Sequence, residues 1–206
     1  MATFGFSKAI IGIYDENEKV TQQFVIDQKG GSTVDANISN LSPSSQAIYG
    51  SDGVWKNPSK GVGNVQVTFT ANGIPKNVMD IILGKTGTDG FGHFNKDTQP
   101  PQCTFEMMAK DAGTGKTTHI AVLNGTFSAS SVDLKTNTAN EVHSPDKLTF
   151  KAEERRSDGE TYVDAIEDKT FDKDKWEQLV RPKAAPKSES MYDNENTKYD
   201  NGNMLD

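Results

Sequence analysis

Several local patterns in the chain use residue types capable of chemistry. Gly113-Thr114-Gly115-Lys116-Thr117-Thr118 has the composition of a loop whose glycine amides and lysine cradle phosphate at a helix N-terminus. The spacing does not fit: the G-x-x-x-x-G-K-[ST] pattern needs glycine at a position held by Lys110. The residues that follow, Ile120 to Phe127, read as a strand, so a hairpin turn is the better reading. Gly87-Thr88-Asp89-Gly90-Phe91-Gly92 is glycine-rich but lacks the strand-to-helix setting of a dinucleotide site, and reads as a loop. His93, His119 and His143 lie too far apart for a local metal motif and read as surface or edge histidines. Cys103 sits on an apolar strand face and reads as a buried, inert thiol. Glu153-Glu154-Arg155-Arg156 reads as a solvated strand end with cross-strand ion pairs. No acid, base and nucleophile converge, so the expectation is a protein without catalysis, cofactor or metal.

The chain that carries these residues is polar. It has 206 residues, 33% hydrophobic, with a net charge of -7, and its mean hydropathy is -0.66. Residues 1–150 hold 12 basic and 14 acidic side chains, so most of the acidity falls later. A basic footprint for gripping phosphates is missing. One cysteine excludes an intrachain disulfide and a cysteine-built zinc site. No apolar run approaches the ~20 residues of a membrane helix, and no signal-peptide pattern is visible, so no membrane partner is expected. The core is thin for the length. Either subunits associate or part of the chain needs no core.

Strands dominate the first 150 residues. Phe4 to Tyr14 is apolar and β-rich; Thr21 to Asp27 includes Phe24, Val25 and Ile26. Thr33 to Ser39 alternates apolar and polar residues, as does Asn64 to Ala71. In the latter, Val65, Val67, Phe69 and Ala71 face one way and Gln66, Thr68 and Thr70 the other. Residues 40–63 form a long Ser/Gly/Asn/Pro/Lys-rich loop holding Ile48, Tyr49 and Trp55, with a short hairpin expected around Ser51-Asp52-Gly53. Residues 74–84 read as a short helix, with Pro75 near its start, Gly84 past its end, and Ile74, Val78, Ile81 and Ile82 on one face. Cys103, Phe105, Met107 and Ala109 share a strand face. In the returning strand Ile120 and Val122 alternate with Ala121 and Leu123, so both faces are covered, by a sandwich partner or by an interface. Val132 to Leu134, Lys147 to Ala152 and Tyr162 to Ile166 continue the β pattern, and Lys173 to Val180 reads as a short helix. Residues 181–206 hold almost no apolar side chains and read as a disordered tail.

The order of these elements is informative. A strand leads to a short helix ending in Leu83-Gly84, then a Gly/Asp-rich segment and Pro100-Pro101. Then follow Asn124-Gly125-Thr126-Phe127, Leu134-Lys135-Thr136-Asn137, Lys147-Leu148-Thr149-Phe150 and the turn Arg156-Ser157-Asp158-Gly159. This succession resembles the major tail protein of long-tailed, non-contractile bacteriophages, the tail-tube subunit, over about residues 1–180.

The resemblance implies a mainly β fold: a β-sandwich or barrel with one short flanking α-helix, whose inner sheets join into a continuous barrel in a ring. It implies a single domain over 1–180, hexameric rings stacked into a tube, and DNA passing through without specific binding. It further implies tape-measure and tail-terminator proteins as partners, assembly in the host cytoplasm and residence in the virion tail. The loop at 40–63, with Ile48, Tyr49 and Trp55, takes the place of a ring-stacking loop. Gln66, Thr68 and Thr70 form a candidate lumen face; Ile120, Val122 and Leu123 form a candidate subunit-packing strand. The alternatives are a tube subunit of a contractile tail or related injection machine, and a carbohydrate-binding or adhesin-like sandwich. The last requires an exposed platform of aromatic side chains on a sheet face.

Overall fold

The computed structural model describes residues 2–43, 48–56, 61–87, 90–129, 131–137 and 142–183. In chain order the elements are β1 (Thr3–Tyr14), β2 (Val20–Ile26), β3 (Thr33–Ser39), β4 (Ile48–Gly50), β5 (Gly53–Lys56), β6 (Gln66–Ala71), α1 (Lys76–Ile82), β7 (Cys103–Asp111), β8 (Thr117–Ser128), β9 (Asp146–Ala152), β10 (Tyr162–Ile166) and α2 (Lys173–Val180). Eight strands form one antiparallel sheet in the order β2-β1-β7-β8-β9-β6-β3, with β10 paired to β8 beside this path. β4 and β5 form a separate hairpin.

The sheet curls into a sandwich and does not close into a barrel among the described residues. One half is β2-β1-β7-β8 with β10; the other is β8-β9-β6-β3. β8 belongs to both. One of its edges pairs β10 from Thr118 to Val122 and β9 from Gly125 to Ser128. The corner falls at Gly125, where a Cβ would stand 2.2 Å from the Lys151 carbonyl oxygen and 2.8 Å from the Phe150 ring. Glycine therefore permits the close approach at which β8 passes from one half to the other. The halves also meet on the opposite side: the Thr33 hydroxyl of β3 donates to the Phe6 carbonyl of β1 at 2.8 Å.

Between the halves lies a core fed by the period-2 pattern. Ile11, Phe69, Phe105, Phe127 and Phe150 are fully buried. Phe105 meets Phe69 at 5.3 Å and Phe127 at 5.1 Å, both edge to face. α1 packs Val78 and Ile82 on this core, together with Ile74 and Leu83. Pro75 occupies the N-cap rather than the first helical position. Gly84 ends the helix at φ +64°, and a Cβ there would lie 2.1 Å from the Gln99 carbonyl oxygen. α1 is the expected flanking helix.

α2 is a second helix and covers the outer face of the first half. Trp176 and Val180 pack there on Ala121 and Leu123 of β8, with Val163, Ala165 and Phe171 around them. Asp172 caps α2, its carboxylate accepting from the Asp174 and Lys175 amides. Both faces of β8 are thus covered as its sequence requires, the second by the chain's own helix. Val132 to Leu134, expected to continue the β pattern, is not a strand; Val132 and Leu134 are 83% and 91% exposed and have no sheet partner to bury them.

Candidate assembly surfaces

Most sequence patterns with catalytic potential are used structurally. Gly113–Lys116 is the turn between β7 and β8: the Asp111 amide donates to the Lys116 carbonyl at 2.9 Å, and Gly115 to Asp111 at 2.8 Å. Cys103 is buried against the Gly125 carbonyl, and desolvation pushes its thiol far above the ordinary value. His93 pairs its backbone with Thr86 in an isolated bridge. Thr88 and Asp89 of the glycine-rich segment lie outside the described residues.

His119 and Arg155 differ from expectation. Arg155 is only 3% exposed. Its guanidinium binds Asp158 and donates to the Leu179 carbonyl at 2.5 Å, tying the β9–β10 turn to the end of α2. His119 is buried between two carboxylates, its Nδ1 3.0 Å from Glu106 and its Nε2 3.0 Å from Glu167. Phe171 stacks on the imidazole at 5.0 Å.

Glu106 is the centre of this cluster and went unmarked in the sequence. It is fully buried on β7. Its Oε1 accepts from Trp176 Nε1 at 2.7 Å and faces His119; its Oε2 accepts from Arg181 Nη1. Burial alone would pull the His119 imidazole down; hydrogen bonds with Glu106 and Glu167 outweigh it and hold the value above the ordinary one. The same hydrogen bond to His119 lowers Glu167. The cluster fastens α2 and the residues after it to the sheet. Arg181 to Lys183, the start of the expected tail, therefore belong to the fold; residues 184–206 lie outside the described residues.

Among the described residues, four surfaces are candidates for assembly. First, the sheet order ends at β2 and β3: among the described residues β3 pairs only β6, and β2 pairs β1 with one outer bridge, Val20 to Lys183, while β10 is a third edge paired only to β8. Second, the outer face of β3-β6-β9 is a polar grid. Gln66 stands between Ser39 and Lys151, Thr68 between Asn37 and Thr149, and Thr70 between Asp35 and Lys147. Thr68 is exposed and Gln66 half-buried, whereas Thr70 is only 5% exposed, so the first two present the face. The grid carries one aspartate and two lysines, unlike the acidic chain as a whole.

Third, the β4–β5 hairpin turns at Ser51 and Asp52, both with positive φ, as a two-residue turn requires. Tyr49 and Trp55 are 74% and 73% exposed, and Ile48 and Val54 are also exposed. Residues 44–47 and 57–60 of this loop lie outside the described residues. Fourth, the segment 131–137 carries Val132 and Leu134 into solvent. On β8, Val122 and Leu123 are fully buried within the chain and Ile120 is half-buried, which leaves Ile120 as the accessible member of the candidate packing strand.

An open-edged β-sandwich with apolar side chains exposed on its loops presents surfaces suited to association with other chains. A family model described as phage tail tube protein matches residues 1–205, and the chain belongs to that family. It is a structural protein of the virion tail that self-assembles into a tube. No curated protein matches the chain in sequence.

Proposed function

We propose that six copies close into a ring, that rings stack into the tube of a long non-contractile tail, and that the lumen delivers DNA. The observation that carries this reading is that β2 and β3 stand at opposite ends of one sheet order, with β3 and the part of β2 beyond Val20 unpaired on their outer sides among the described residues. An unpaired edge is a template for another strand. Joining β3 of one copy to β2 of the next is a head-to-tail contact, which generates a closed ring when the rotation closes. The joined sheets would then line the lumen as one barrel.

The polar grid around Gln66 and Thr68 suits a lumen surface. Hydroxyl and amide groups with few, mixed charges form no continuous basic stripe to hold phosphates, and the chain's net charge of -7 opposes binding. The β4–β5 hairpin suits ring stacking, because Tyr49 and Trp55 are large aromatic anchors that stand exposed. Ile120 adds a lateral apolar contact. A tape-measure protein within the tube and a terminator at its end are the partners this role requires in the virion, after assembly in the host cytoplasm.

Replacing residues 44–60 by a short flexible linker tests the stacking role. The fold should persist by circular dichroism, while electron microscopy shows rings without tubes. Tubes of unchanged length would contradict the assignment.

A further inference from the structure

We infer that the groove between β10 and α2 binds an extended segment of a partner protein, one in which apolar residues alternate with lysine or arginine. The site is separate from the β2 and β3 edges, so the inference stands apart from ring closure. β10 is held on one side only, where it pairs with β8. The Thr161 carbonyl accepts from the Leu123 amide at 2.9 Å, and the Glu167 amide donates to the Thr117 carbonyl at 2.8 Å. Odd-numbered residues therefore bond to β8, and the alternation of an antiparallel ladder turns the amides of Tyr162, Asp164 and Ile166 outward. Among the described residues no strand meets them.

α2 stands beside this edge. Between the two elements runs an open groove of about 580 Å³, its apolar lining formed by Ala165, Ile166, Phe171, Trp176 and Leu179. Trp176 is buried, and the other four are only partly covered. Outward amides call for main-chain partners, and an apolar trough beside them takes every second side chain of an added strand. An extended segment meets both needs; a helix, with its amides already bonded, meets only the second.

Charge decides the remaining side chains. Ala165 packs towards α2, so Asp164 lies on the other face of β10. Asp164 is exposed, and neither it nor Asp168 of the groove lining forms an ion pair among the described residues. Lys175, the one cation of the lining, is taken up by Asp172 at 3.2 Å. A lysine or arginine on the added strand beside Asp164 completes a cross-strand pair. The edge strands β2 and β3 of another copy do not supply it. They contain no lysine or arginine, and each copy carries a net charge of -7. The occupant is therefore a different, cationic chain.

The test uses the full chain at a concentration below assembly and two synthetic hexapeptides of equal composition. One alternates lysine and valine; the other has three lysines followed by three valines. Amide exchange is followed residue by residue by NMR. At saturation the alternating peptide should slow exchange of the Asp164 and Ile166 amides about tenfold and leave Ala165, already bonded to β8, unchanged. Asp164→Asn should weaken binding about threefold and reduce its salt dependence. Leu179→Lys, which places a like charge in the trough, should weaken binding about tenfold, with the fold checked by circular dichroism. Exchange unaltered by the alternating peptide would overturn the site. Equal protection by both peptides would overturn strand addition, and wild-type affinity in Asp164→Asn would overturn the charge assignment. Protection that grows with the protein's own concentration, without peptide, would give the edge to a second copy and overturn the partner.

Discussion

At the scale of residues, Glu106 makes the strongest energetic statement in the molecule. Its carboxylate is fully buried and satisfied by Arg181, Trp176 and His119. Removing one partner of a buried ionic network leaves the others unpaired, so Glu106→Ala should destabilise the fold by about 3–5 kcal/mol in urea unfolding. His119 adds a pH dependence. Its folded value is raised, so its stabilisation is full below the ordinary value of 6.5 and is lost as the pH rises through the folded value. The urea midpoint should therefore fall from pH 6 towards pH 8.5 in the wild type, and less in His119→Asn. None of this network was legible in the sequence. Glu106 alternates with Phe105 and Met107 as a solvent-facing carboxylate does. Its partners come from 13, 70 and 75 positions away. Local pattern carries no trace of contacts at that range.

At the scale of elements, the sequence was far more informative, because periodicity and turn chemistry act locally. Thr33–Ser39, Tyr162–Ile166 and Lys173–Val180 have the bounds their patterns predict. Gly84 was legible as the end of α1, and its geometry makes a prediction. Gly84→Ala combines positive φ with a backbone clash against Gln99 and should cost about 2 kcal/mol or more, measured as a drop in unfolding free energy. The hairpin at Ser51-Asp52-Gly53 was legible for the same local reason. Val132 to Leu134 was not: alternation alone cannot distinguish a paired strand from an extended segment holding apolar side chains in solvent. The second cover of β8 was legible only as a need. An apolar pattern on both faces of a strand requires burial on both, but does not say whether a helix of the same chain or a neighbour supplies it. Here α2 supplies it for Ala121 and Leu123.

At the scale of the whole molecule, the thin core of a polar chain has a structural form. Four phenylalanines and their neighbours fill the space inside one curled sheet, a second small cluster lies under α2, and other apolar side chains stand exposed, on the β4–β5 hairpin, on the 131–137 segment and at Phe91 and Phe94 among other sites. Among the described residues the sheet order ends at β3 and β2, whose outer sides are unpaired apart from the Val20–Lys183 bridge. A subunit of this kind completes itself by association, in keeping with its tail tube family. A carbohydrate-binding module would instead present aromatic side chains across a sheet face, whereas Tyr49 and Trp55 share a hairpin outside the main sheet. Electron microscopy of the purified full chain at rising concentration tests the central claim most directly. The account predicts six-fold rings that stack into tubes, with β2 and β3 joined across each subunit boundary. A protein that stays monomeric at every concentration, or tubes in which both edges remain unpaired, would contradict it.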